Sequence, residues 1–269
     1  MQDALMAVQT DLASSIAVRY THRLEKLIRF KTQAIHIPDM DENNHSPGSG
    51  WVHKTWENAI IQKAREDITR MFLKEHFIYN GWSPMIVPGE RDRVILEELR
   101  HKRYDFFIEG LLHSFEPDRF FQKLDSDLYR NISCPVLLVK NLVDLNRGIQ
   151  IVGTPNTISF GLSWFFKIWN GIPAEPDILI CHFEPSLEKR IILENDGDLF
   201  ADIEEKFLKY GKKIASIKTA KGSPEKLISF VRDHALLVSP LTRGNSHIAQ
   251  MLAMSPCPIL FCPESIIDT

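Results

Sequence analysis

Cys134-Pro135-Val136-Leu137-Leu138-Val139 and Cys257-Pro258-Ile259-Leu260-Phe261-Cys262 are two versions of one phrase, a Cys-Pro step into a short apolar run. A continuously apolar run of this length reads as a strand buried on both faces, which places it inside a parallel sheet covered by helices. Each phrase follows a helix-like stretch and, before that, another apolar run: Phe106-Phe107-Ile108 in one case, Ala235-Leu236-Leu237-Val238 in the other. Recurrence of the same unit at the end of each half makes a duplicated fold the first expectation.

The rest of each half can be laid over the other. Ala4-Leu5-Met6-Ala7-Val8 leads through a helix-like stretch from Ala13 to Arg29 into Gln33-Ala34-Ile35-His36-Ile37. The later half offers Ile149-Gln150-Ile151-Val152, then Ser159 to Trp169, then Ile178-Leu179-Ile180-Cys181. Further on, Met85-Ile86-Val87-Pro88-Gly89-Glu90 enters Val94 to Leu99, and Ala215-Ser216-Ile217-Lys218 passes Gly222-Ser223-Pro224-Glu225 into Leu227 to Val231. Both read as strand, glycine turn and helix, with Ser223 placed as a cap and Pro224 at the first helical position. The expected organisation is one domain over residues 1–140, a connector from Asn141 to Gly148, and a second domain over residues 149–269. Asp39 to Gly50 reads as a loop before a helix from Thr55 to Glu75, and Pro185 to Asp198 as its counterpart before a helix from Leu199 to Tyr210. The alternation predicts an α/β fold of two Rossmann-like, doubly wound domains, each with about five parallel strands and helices on both faces.

With 269 residues, each half is long enough to bury its own core. A hydrophobic share of 44%, a charged share of 25% and a mean hydropathy of -0.15 describe a globular chain. No apolar run is long enough to span a bilayer, and Met1-Gln2-Asp3 lacks the basic flank of a secretory signal, so a cytoplasmic protein without a membrane partner is expected. A net charge of -3 and a pI near 6.4 give no basic footprint, so nucleic acid is not an expected partner. The short groups His101-Lys102-Arg103 and Lys212-Lys213 read as solvated edges. All four cysteines, Cys134, Cys181, Cys257 and Cys262, fall in or beside expected strands without metal-site spacing, and read as buried free thiols.

The order of elements, ending each time in the CPVLLV or CPILFC strand, resembles the universal stress protein family. The segments GERDRVILEEL and GSPEKLISFV look like its glycine turn into the third helix, and ALMAVQTDLASS like its opening. The resemblance covers the whole chain as a tandem pair. It implies a strand order of 3-2-1-4-5 in each copy and an internal pseudo-dimer, with Cys134 to Val139 and Cys257 to Cys262 pairing edge to edge. An apolar edge strand left open would be an aggregation liability, which favours the same pairing. Assembly into a larger homo-oligomer and an unidentified protein partner stay open.

Members of this family that bind ATP resemble one another in an aspartate ending the first strand, a small residue ending the fourth, and a GxxG followed after nine residues by GS or GT. Such glycines let backbone amides reach phosphate oxygens. In the first copy Gln9 stands at the aspartate position, and of the phosphate segment Gly110 and Ser126 are kept, with His113 and Lys123 or Asp125 near the other glycine positions. Glu109, Glu116, Asp118, Asp125 and Asp127 add negative charge where a triphosphate would lie. In the second copy Gly153 replaces the aspartate, and the segment after Ser239 is shortened. There Arg243, Gly244, Asn245 and Ser246 form either a small anion-binding turn, joined by His247, or a shortened loop with Ser246 as helix cap.

No HExxH, paired metal-ligand spacing or GxSxG turn appears, so neither a metal site nor a nucleophile is expected. Asp198 reads as a helix cap, and Phe160, Trp164, Phe165 and Trp169 as a face packed on the sheet. The expectation is a non-enzymatic stress-response or regulatory protein with degenerate nucleotide sites and no resident cofactor. Two alternatives stand beside it: ATP binding through altered contacts in one copy, and an apolar-ligand or lipid site lined by Trp164 or Phe165.

Overall fold

The computed structural model describes residues 1–38, 51–75, 83–112, 117–184, 191–194 and 196–264. The strands are β1 (Gln2–Ala7), β2 (Phe30–His36), β3 (Met85–Ile86), β4 (Phe106–Gly110), β5 (Val136–Val139), β6 (Ile149–Gly153), β7 (Asp177–Phe183), β8 (Ile192–Glu194), β9 (Ser216–Gly222), β10 (Leu236–Pro240) and β11 (Ile259–Cys262). The α-helices are α1 (Leu12–Leu24), α2 (Trp51–Lys74), α3 (Arg91–His101), α4 (Pro117–Leu124), α5 (Asp127–Asn131), α6 (Ile158–Ile168), α7 (Gly197–Lys209), α8 (Pro224–Leu227) and α9 (His247–Met254). This is an α/β fold with helices on both faces of a mostly parallel, Rossmann-like sheet.

The strands form a single sheet in the order β3-β2-β1-β4-β5-β11-β10-β6-β7-β9-β8. Its first five members read 3-2-1-4-5, and β9-β7-β6-β10-β11 repeat that order on the far side. At the centre β5 and β11 run antiparallel, with Leu138 opposite Ile259, Leu137 opposite Leu260 and Val136 opposite Phe261. Further bonds cross between the halves: Tyr20 Oη donates to the Ala235 carbonyl at 3.0 Å, and Lys140 Nζ donates to the carbonyls of Leu252 and Ala253 at 2.8 and 2.9 Å. Those carbonyls end α9, where a cation is favoured by the helix dipole, while burial lowers the Lys140 ammonium to about 7.

Burial on both sides explains the continuous apolar runs. Leu137, Val139, Leu260 and Cys262 enter one core with residues of α1, α2, α6 and α7. Val136, Leu138, Ile259 and Phe261 enter the other with residues of α3, α4, α5, α8 and α9. All four cysteines are free and buried, Cys257 and Cys262 on opposite faces. Burial pushes the Cys134 and Cys181 thiols up to about 12, which leaves them unreactive.

The local signals hold with some changes. Asp11 caps α1 through the Ser14 amide at 2.8 Å, and Glu90 caps α3 through the amides of Asp92 and Arg93 at 3.0 and 2.8 Å. The expected helix after Gly222 is only a short α8 followed by a 3-10 turn, Ile228–Phe230. Ser223 occupies its cap position, but its hydroxyl goes to the Glu225 carboxylate and not to an amide. Asp198 lies in the first turn of α7, with Asp196 at the cap. The stretch read as a loop from Pro185 to Asp198 contains β8, antiparallel on β9 through Leu193 opposite Ala220. The loop from Asp39 to Gly50, His113 and Glu116 lie outside the described residues. No described helix is long and apolar enough to cross a membrane.

Candidate ligand-binding site

Parallel strands deliver their carboxyl ends to one rim, and a crevice opens where neighbouring strands send their connections to opposite faces. That happens between β6, which feeds α6 on one face, and β10, which feeds α9 on the other. A pocket of about 730 Å³ lies there. Thr154, Thr157 and Phe160 at the start of α6 form one wall, Leu241 to Arg243 and Ser246 to Ile248 another, and Phe183 closes the end of β7. The remaining wall belongs to the other half of the chain, through Tyr129, Arg130 and Ile132, with Pro263 and Glu264 following β11.

The turn into α9 is built from its own side chains. Ser246 Oγ accepts from the Ala249 amide at 3.2 Å, donates to the Arg243 carbonyl at 2.8 Å and meets Thr242 Oγ1 at 2.7 Å. Ser246 is therefore the helix cap, and the first amides of α9, on His247 and Ile248, have no acceptor within the helix. Both residues line the pocket. At the opposite wall the Thr154 amide donates to Thr157 Oγ1 at 3.0 Å, and the two hydroxyls lie 2.9 Å apart. Arg130 and Arg243 are exposed and form no ion pair with any described residue. The pocket thus carries two arginines and a helix amino end against one carboxylate, Glu264, and favours an anion.

Two glycines beside it are imposed by packing. A Cβ on Gly153 would stand 2.8 Å from Ile158 Cα, so no carboxylate can occupy the position the family gives to aspartate. A Cβ on Gly244 would stand 2.8 Å from both Asp125 Oδ2 and the Phe121 carbonyl, because the turn sits against α4; the Gly244 amide donates to Asp125 Oδ1 at 3.4 Å. Ser126, next to Asp125, caps α5 through the Tyr129 amide at 3.5 Å. Of the expected site residues Arg243 and Ser246 line this pocket, while Gly244 and Ser126 lie behind it, Gly244 against Phe121 and Asp125. Gln9 and Gly110 are at the other crevice, between β1 and β4.

At that first crevice Gly110 is imposed by packing as well. A Cβ on Gly110 would lie 2.5 Å from the Ala13 carbonyl carbon and 3.1 Å from the Ser14 amide, since β4 packs directly on the start of α1. Gln9 is committed to structure: its amide donates to Ser14 Oγ at 2.8 Å and its Nε2 to the Ile37 carbonyl at 3.3 Å. Replacing Gly110 by alanine is expected to destabilise the fold by about 2 kcal/mol, because backbone and not a flexible side chain must move. Urea denaturation checks this beside Gly197→Ala, where a methyl group meets nothing within 4 Å. A Gly110→Ala protein as stable as wild type would show that the contact between β4 and the start of α1 relaxes at no cost.

Of the carboxylates expected to add negative charge at this crevice, Glu109 is internally paired. Glu109 is buried, paired with Arg91, and accepts from Lys123 Nζ at 2.7 Å and from the Tyr129 hydroxyl at 2.7 Å. Burial alone would raise its pKa, but Lys123 and Arg91 overcome that and hold the carboxyl down to about 2. Together with Asp92, which pairs with Arg91 at 3.1 Å, it balances the two cations. Trp164, Phe165 and Trp169 are core residues, the last two stacked at 5.0 Å; Phe160 alone of the aromatic set reaches the pocket. Arg130, Phe183 and Glu264 have no local motif, and nothing in their own sequence neighbourhood marks them as site residues.

No protein-family model matches the chain, and no curated protein matches it in sequence. Solved structures do match in shape. A universal stress protein from Archaeoglobus fulgidus superposes with a TM-score of 0.64 at 12% identity, covering 97% of this chain and 96% of the other. A Pseudomonas aeruginosa protein described as functionally unknown gives 0.56 at 14% identity, covering 98% and 92%. A second one from that species, assigned provisionally to the universal stress proteins, gives 0.55 at 13% identity, covering 98% and 93%. Sequence identities this low carry the architecture and not the chemistry. The chain has the universal stress protein fold over nearly its whole length.

Proposed function

We propose that this protein is a non-catalytic regulatory binding protein made of two copies of one unit paired through β5 and β11. Its first nucleotide site has degenerated, and its second is kept in altered form for an anionic, nucleotide-sized ligand. The observation that carries this reading is the pocket of about 730 Å³ at the carboxyl ends of β6 and β10, with Arg130, Arg243 and the amino end of α9 on its walls. A nucleotide fits its chemistry: phosphates against the arginines and free amides, and an aromatic base against Phe160 or Phe183. The pocket hydroxyls of Thr242 and Ser246 are tied to each other and to the α9 cap, those of Thr154 and Thr157 to each other, and that of Tyr129 to Glu109, which favours binding over turnover.

The test is titration of the intact protein with Mg-ATP by isothermal calorimetry, repeated on Arg243→Gln and backed by native mass spectrometry. Wild type is expected to bind and the variant to bind about tenfold or more weakly, as loss of a charge-assisted contact requires. No uptake by wild type, or uptake unchanged in the variant, overturns the assignment.

A further inference from the structure

A second cavity, of about 370 Å³, lies between the last turn of α3, the start of β4, the loop from α5 to β5, and α6 of the other half. Three cations from three elements line it: Arg100, Arg103 and Lys167. Arg100 and Arg103 are exposed and form no ion pair with a described residue. Lys167 Nζ rests 4.8 Å from the centroid of the Trp164 ring. That indole is fixed, only 4% exposed and donating its Nε1–H to the Pro263 carbonyl at 3.0 Å. The carboxylate in the wall, Asp105, already accepts the Asp3 amide at 2.8 Å through Oδ2. With Asp105 as the one carboxylate among the lining residues, three cations leave the cavity with an excess of positive charge that favours an anion. Asn131 and Ser133 add neutral donors at the rim.

We propose that this cavity binds a small multivalent oxyanion, phosphate or carboxylate in chemistry, gripped by Arg100, Arg103 and Lys167. The arginines supply planar, paired donors suited to both anion types, and Lys167 leaves the ring to meet the ligand. The site spans both halves of the chain, since α3 and β4 come from one and α6 from the other; it shares Ile132 with the pocket at α9, but its three cations are its own.

Lys167 provides the readout, because its departure from the indole changes tryptophan fluorescence. The intact protein is titrated with pyrophosphate and, separately, with citrate at constant ionic strength. A saturable change with at least one of them is expected; pyrophosphate alone identifies phosphate chemistry, citrate alone carboxylate chemistry, and both the shared class. The double variant R100Q/R103Q, altered only at exposed positions, is expected to weaken the response about tenfold or more, while Arg243→Gln leaves it unchanged. Lys167→Met keeps the apolar stem and is expected to abolish the fluorescence signal. Absence of a saturable response to either anion, or a response that R100Q/R103Q retains at full affinity, overturns the proposal. Loss of ATP binding at the other pocket leaves it standing.

Discussion

Replacing Glu109 by glutamine is expected to cost about 3 kcal/mol of stability at neutral pH, because it removes one partner from a buried ion cluster. Glu109 is 2% exposed and satisfies Arg91, Lys123 and the Tyr129 hydroxyl together. Its loss leaves two cations facing a neutral amide, although the side chains of Arg91 and Lys123 are 31% and 21% exposed, so water recovers part of what they lose. The sign of the pH dependence follows from the depressed carboxyl. The unfolded chain titrates near the ordinary 4.5 and the folded one at about 2, so the contribution is fully present above 4.5 and disappears as pH falls through that window. Urea denaturation at stepped pH should show wild type losing this part of its stability between those values while Glu109→Gln does not. Glu97, in an exposed pair with Arg93 at 3.9 Å, provides the control, with Glu97→Gln expected within about 0.5 kcal/mol of wild type. A Glu109→Gln protein equal to wild type at neutral pH would show that the cluster contributes nothing net.

Truncating Phe261 to alanine is expected to cost about 4 kcal/mol, the range for a large aromatic removed from a fixed core. Phe261 is fully buried on β11, and its ring lies 6.1 Å from Phe120 and 6.5 Å from Tyr129, which reach it from α4 and α5 of the other half. The cavity would open where the two halves meet, so the effect reports the seam itself. A double-mutant cycle with Phe120→Ala isolates the contact, with an expected coupling of about 1 kcal/mol. A cost below about 1 kcal/mol for Phe261→Ala would mean that the seam yields easily and that the halves are held mainly elsewhere.

The sequence alone was enough to determine the alternation of strands and helices, the two Cys-Pro strands and the burial of the thiols. A strand covered on both faces must be apolar at every position, and that constraint is written locally in Val136 to Val139 and Ile259 to Cys262. Caps are equally local, which is why Ser246 could be read as the start of α9 from the residues around it. β8 escaped notice because three residues, Ile192–Glu194, carry no usable periodicity, and only pairing with β9 makes them a strand. Glu109 was read as an unfavourable charge because its neutralising cations stand 14 and 18 positions away, out of any local pattern. Arg130 reaches the pocket at β6 and β10 from the other half of the chain. Tertiary structure alone decided that Gly110 packs on the start of α1 and that the pocket at β6 and β10 draws its walls from both halves, since that depends on which distant segments and charges meet. Periodicity records the environment of a residue's own element, whereas a site is assembled from the ends of elements that the chain brings together only on folding.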